Sequence, residues 1–152
     1  MQDQHSYFRA RKRALIKLLG RRALSDHDIE SAGRALYGKT WGGVWPHDEF
    51  TAAKLRPKRK YVINTGHSRG AGIHWVGLYS GAGKTLYLYD SFGRATGSIL
   101  PDLKKRLQAA GYSVVEPDRD AEQRGLSQVC GVLALAWLET VNRYGVMAAL
   151  EI

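Results

Sequence analysis

The stretch GIHWVGLYSGAGKTLYLYDSFG, residues 72–93, decides how the chain is read. Its centre, SGAGKT, looks like a phosphate-binding loop. That motif requires a Gly five residues before the Gly of Gly-Lys-Thr, but Leu78 stands there and Gly77 is one place off. The motif must also open a helix, whose free N–H groups hold the phosphate. Here the chain continues into Thr85-Leu86-Tyr87-Leu88-Tyr89, a β-branched and aromatic run that reads as a strand. Ile73 to Tyr79 reads the same way, and Gly81-Ala82-Gly83 between them signals a hairpin. The nucleotide site is rejected, and Lys84 is expected to be a solvated residue at the start of the second strand.

The hairpin has a chemical consequence. With a three-residue loop, Ser80 faces Lys84 and His74 lies opposite Asp90. A four-residue loop shifts the pairing by one and leaves Asp90 a near neighbour of His74. Opposed residues share a face, with Cβ atoms roughly 4.5–5.5 Å apart. An imidazole beside a carboxylate is the base and orienting group of a hydrolase that still lacks its nucleophile.

Composition bounds the rest. The chain has 152 residues, 44% of them hydrophobic, enough for one domain with a real core. No apolar run is long enough to span a bilayer, and the start, MQDQHSYFRARKR, shows no hydrophobic signal region. The one cysteine, Cys130, excludes an intrachain disulfide and a cysteine-rich zinc site. The formal net charge of +9 favours polyanion partners over a merely solubilising surface. The charge is clustered in Arg9, Arg11, Lys12, Arg13, Lys17, Arg21 and Arg22, and again in Arg56, Lys58, Arg59 and Lys60. These residues, Arg56 excepted, are the candidate DNA-binding residues.

Residues 5 to about 20 read as a basic helix with a narrow stripe of Ala14, Leu15, Leu18 and Leu19, ended by Gly20. Ser25 is a good N-cap for a helix over roughly 26–37. The segment TWGGVWPHDEF reads as a Gly- and Trp-rich loop whose tryptophans either plug the core or wall a groove. Tyr61 to Asn64 and Tyr112 to Val115 read as short strands, and Ser98 as the cap of a helix reaching about residue 110. From about Ser127 to Tyr144 the chain is apolar nearly all round, which predicts a buried central helix capped by Ser127. The expected class is α+β: a small, mostly antiparallel sheet packed on that helix, with further helices around it, all in one domain over 1–152 with a basic extension over 1–23.

Cys130 falls at or near the start of the buried helix. The positive end of the helix dipole and a nearby imidazolium both lower a thiol's pKa. Gly131 leaves room for a substrate backbone, and Gln123, in the loop before the helix, can add a side-chain amide to the backbone N–H of Cys130 as an oxyanion donor. His5, His27, His47 and His67 show no ligand spacing, so no metal is expected.

The segment INTGHSRGAGIHWVGLY…LYLYDSFG followed by QRGLSQVCG resembles adenain, the adenoviral maturation protease, and the wider clan that includes proteases of ubiquitin-like modifiers. The shared features are a His-Trp pair on a strand, an acid ending the next strand, and a Gln seven residues before Cys-Gly. The resemblance covers roughly residues 24 to 142. It implies Cys130 as nucleophile, His74 as its base, Asp90 as the group orienting His74, and Gln123 in the oxyanion hole. It also implies Trp75 as a wall of the cleft and, from GVWPH, Trp45 on the substrate side. The implied activity is a viral cysteine endopeptidase that cuts capsid or core precursors after small residues such as Gly-Gly or Gly-X. DNA would serve as activator, and the site of action would be the virion and the host nucleus. The implied chain is monomeric, not secreted, not membrane-bound, and without a metal or small-molecule cofactor. Adenain's disulfide-linked peptide activator is not expected, since Cys130 is the only thiol. Asp90 stands where adenain has Glu, as in the modifier-processing relatives. Two rivals are an isopeptidase on ubiquitin-like modifiers and a basic DNA-binding virion protein with a vestigial site.

Overall fold

The computed structural model describes residues 2–66, 74–116, 121 and 128–152. Two helices come first, α1 (Gln4–Leu19) and α2 (Asp26–Tyr37). Strands β1 (Trp41–Pro46), β2 (Arg59–Asn64), β3 (Trp75–Ser80) and β4 (Thr85–Tyr89) come next. The short α3 (Thr96–Ile99), α4 (Pro101–Ala109), β5 (Ser113–Val115), α5 (Cys130–Tyr144) and α6 (Val146–Ala149) complete the chain. The class is α+β.

The five strands lie in sequence order across one mixed sheet. The β2–β3 and β3–β4 pairs are antiparallel and β1–β2 and β4–β5 are parallel, so the sheet is mixed with parallel pairs at its two edges. Side chains alternate across the sheet with the period of two that a pleated strand imposes. Val62, Trp75 and Tyr89 join the core under α5, α1 and α2. Tyr61, Ile63, Val76, Leu78, Leu86 and Leu88 point to the other face, where Leu103 and Leu107 of α4 cover them. Gly77 lies where the sheet meets α5: a Cβ there would stand 3.4 Å from the Ala134 carbonyl and the Trp137 ring. The missing side chain lets the central helix lie close on the sheet.

Ser25 caps α2 as expected, in a reciprocal box with Asp28. Helix α1 ends at Gly20, which has φ +87°. Its buried stripe differs from the expected one. Phe8 and Leu15 face the core, while Ala14 is exposed and Leu18 is 76% exposed. Arg11 reaches the buried Glu139 of α5 at 2.6 Å, while Leu18, two turns further along the same face, stays outside the core.

Three other expectations need correction. The expected loop at 41–46 is the edge strand β1. Its glycines hide the pattern because they serve as slots for rings: a Cβ on Gly42 would stand 2.2 Å from the Tyr61 ring. Gly33 of α2 likewise receives the Trp41 indole. The helix expected to be capped by Ser98 is two helices, with Ser98 inside α3. The break at Leu100 (φ −138°, ψ 57°) follows from Pro101, whose ring disfavours a helical residue before it. The hairpin loop is longer than three residues: Ser80 pairs with Leu86, two places beyond Lys84. Lys84 sits in the turn with φ +56°, next to Gly83 at φ +65°, and the strand begins at Thr85.

Candidate active site

A register displaced by two residues keeps every side chain on its own face. Asp90, just after β4, therefore stays on the face of His74 as a diagonal rather than a direct neighbour. His74 immediately precedes β3, and its carbonyl accepts from Thr65 N at 3.0 Å, which ties it to the end of β2. His74 Nε2 is hydrogen-bonded to Asp90 Oδ1, and their side chains are 6% and 4% exposed.

With Nε2 engaged, Nδ1 is the ring nitrogen left for Cys130. The thiol lies within hydrogen-bonding reach of the imidazole and of the backbone N–H groups of Trp75 and Gly131. Cys130 is buried, and it is the first residue of α5. Its N-cap is Val129, with no side-chain cap bond, and Ser127, the expected cap, lies outside the described residues. The uncapped turn leaves N–H groups and the positive dipole end directed at the sulfur's surroundings.

The electrostatics follow from this packing. Burial alone would push the Cys130 thiol up, but the His74 ring and the Trp75 and Gly131 amides hold it below its ordinary value. Burial alone would push His74 down, but Asp90 and Cys130 hold it above the usual imidazole value. Burial opposes the ionisation of Asp90, yet His74 and Arg94 bring its carboxyl down to about 2. All three directions favour one arrangement: carboxylate, imidazolium, thiolate.

Trp75 is 7% exposed and its Nε1 donates to the Leu24 carbonyl at 3.1 Å. Gly131 is buried too. A Cβ there would stand 3.1 Å from Leu24, 3.2 Å from Ile29 and 3.3 Å from Trp75. Protein fills the space that was expected to admit a substrate backbone, so Gly131 is accounted for by helix packing. Trp45 borders an open groove of about 380 Å³ between α2 and β1, lined also by Glu30, Arg34 and Trp41. Lys54 lies over the Trp45 ring at 4.1 Å. None of the three chemical residues lines this groove. Gln123 lies outside the described residues, as do Ser127 and His67.

The basic residues divide. Arg9, Arg13 and Lys17 are exposed along α1, Lys12 is half-buried, and Arg21, Arg56, Lys58 and Arg59 are exposed. Arg11 pairs with Glu139, and Arg22 pairs with Asp28 at 2.8 Å. Lys60 must be removed from the DNA-binding set. It is 3% exposed, its Nζ donates to Thr40 at 2.9 Å, and it lies between the rings of Tyr37 and Tyr79. A sheet position alternates inward and outward, and Lys60 falls on an inward one. Among the described residues no group of His, Cys, Asp and Glu could hold a metal ion, and no helix is long and apolar enough to cross a membrane.

Arg94 was not among the expected site residues. Its backbone N–H and Nε donate to Asp90 Oδ2 at 2.8 and 3.0 Å, and a terminal nitrogen lies 3.4 Å from Oδ1. The signal was present: Gly93 after Asp90 permits the tight turn, with φ +70°, that brings residue 94 back onto the carboxylate. Neither the protein-family models nor the curated proteins match the chain.

Proposed function

We propose that the protein is a cysteine endopeptidase with Cys130 as nucleophile, His74 as base and Asp90 as the group that orients His74. One observation carries the proposal: a buried thiol at a helix N-terminus beside an imidazole whose other nitrogen is held by a carboxylate. The thiolate attacks the scissile carbonyl carbon, and the C=O π electrons move onto oxygen. The oxyanion is met by the Cys130 backbone N–H and, as the resemblance to adenain implies, by Gln123. As the tetrahedral intermediate collapses, the C–N bond breaks and the His74 imidazolium gives its proton to the leaving amine. Water then adds to the thioester as His74 takes its proton, the C–S bond breaks, and the acid leaves with the Cys130 thiolate and His74 imidazolium restored.

The substrate reading rests on the same resemblance: viral capsid or core precursors cut after small residues such as Gly-Gly or Gly-X, in the virion and host nucleus. The exposed cations of α1 support duplex DNA as track or activator, with salt-sensitive binding expected.

Alkylation of Cys130 by iodoacetamide at about pH 6 tests the chemistry, because an ordinary thiol near pKa 8.5 reacts slowly there. Wild type is expected to label fast and His74→Ala slowly, and Cys130→Ala to cleave no Gly-Gly peptide. Equal labelling of wild type and His74→Ala would sink the proposal. Duplex DNA in parallel samples reads out activation.

A further inference from the structure

Asp90 is a carboxylate with two holders. Oδ1 meets His74 Nε2, while Oδ2 receives both Arg94 N and Arg94 Nε. The second holder also touches the imidazole's other neighbour. The Arg94 guanidinium lies 5.0 Å from the Phe92 ring centre, and that ring lies 5.2 Å from the His74 ring. Arg94 therefore closes a loop of four side chains, bonding the carboxylate on one side and stacking on the ring that flanks His74 on the other. A carboxylate turns about its last torsion with a low barrier. Two donors on one oxygen stop that turn and keep the other oxygen on Nε2.

We infer that Arg94 is a positioning residue that fixes the Asp90 carboxylate, and through it the His74 ring, in the geometry that Cys130 chemistry needs; this rests on the peptidase reading above. Its charge is not the main agent. The Arg94 side chain is 46% exposed, so its field is screened by water, and what remains is the direction its donors impose on the carboxylate. The other charged or titratable groups facing His74 among the described residues are Asp90 and Cys130.

The geometry separates these two roles cleanly. Gln places an amide nitrogen where Arg has Nε, so Arg94→Gln keeps the donor and loses the charge. Lys places a methylene there, so Arg94→Lys keeps the charge and loses the donor. The experiment measures iodoacetamide alkylation of Cys130 from pH 5 to 9, and the titration of the His74 ring by NMR, in wild type and in the Ala, Gln and Lys variants. Arg94→Ala and Arg94→Lys are expected to label roughly 10-fold more slowly at pH 6, matching about one lost charge-assisted hydrogen bond. Their His74 titration should move down, because the carboxylate keeps only the Arg94 backbone N–H on Oδ2 and is held less firmly against Nε2. Arg94→Gln should stay within about 3-fold of wild type. Rescue by Lys and not by Gln, an upward shift of His74 in Arg94→Ala, or four indistinguishable proteins would each overturn the inference. A wild-type thiol indifferent to His74→Ala would instead overturn the peptidase reading. Should Arg94→Ala fail to fold, the Gln and Lys pair still decides.

Discussion

Asp90→Asn replaces one oxygen of the candidate site with an NH2 group and leaves its size unchanged. The amide has one acceptor oxygen and one donor nitrogen. Arg94 N and Nε both need an acceptor, so the oxygen stays with them and the NH2 turns toward His74 Nε2. Nε2 must then accept. The imidazole is held neutral with its proton on Nδ1, the nitrogen facing Cys130, and it cannot take the thiol's proton. The wild-type bond is charge-assisted and shielded from water, with side chains 6% and 4% exposed. Such bonds contribute about 1.5–3 kcal/mol, which corresponds to roughly 10- to 150-fold in rate. The near-complete burial favours the upper half of that range. The assay is alkylation of Cys130 against pH. Wild type should become reactive below the ordinary thiol range, in line with the lowered Cys130 value, and Asp90→Asn only nearer that range. Acid stability gives an independent readout. A carboxyl held at about 2 contributes stability that is fully present above its unfolded value near 4 and is lost as pH falls toward 2. That acid-sensitive component should disappear in the variant. Labelling of Asp90→Asn within about 3-fold of wild type at pH 6 would refute the reasoning.

Lys60→Met removes a cation that burial holds below its ordinary pKa. Wild type should gain stability as pH rises from that lowered value toward the unfolded one, while the variant should be flat there. At pH 7 the variant is expected to be as stable as wild type or better by about 1 kcal/mol, roughly 2–4 °C, with DNA retention unchanged. A clear loss of DNA binding would return Lys60 to the interface. Gly131→Ala forces a methyl against Leu24, Ile29 and Trp75, and overpacking of this kind costs about 1–3 kcal/mol. Thermal melting should show the loss; an unchanged melting temperature would mean that Leu24 and Ile29 yield to the methyl without cost.

Local chemistry was legible in the residues themselves. Ser25 with Asp28 and the glycines after α1 and α2 are contacts over a few positions, so α1 and α2 could be placed from sequence. The apolar run of α5 declares burial because no face of it tolerates water. His74 and Asp90 could be brought together from the hairpin alone, because an error of two in register preserves the face. The helix dipole needs only the position of Cys130 at the start of α5. Other features depend on what lies across the fold. Strand β1 is invisible in Trp-Gly-Gly-Val-Trp-Pro, since its glycines are shaped by Tyr61 and by a partner strand that pairs in parallel. Parallel pairing leaves no turn signal to read. Lys60 turns inward because the sheet's alternation overrides the preference of a cation for water, and Thr40 with two tyrosine rings makes that position tolerable. Arg11 turns inward because Glu139 waits on α5, more than a hundred residues away in sequence. Hydrogen bonds and caps act over a few residues and can be read from one segment; burial and pairing are properties of two segments at once, and only the folded chain decides which two meet.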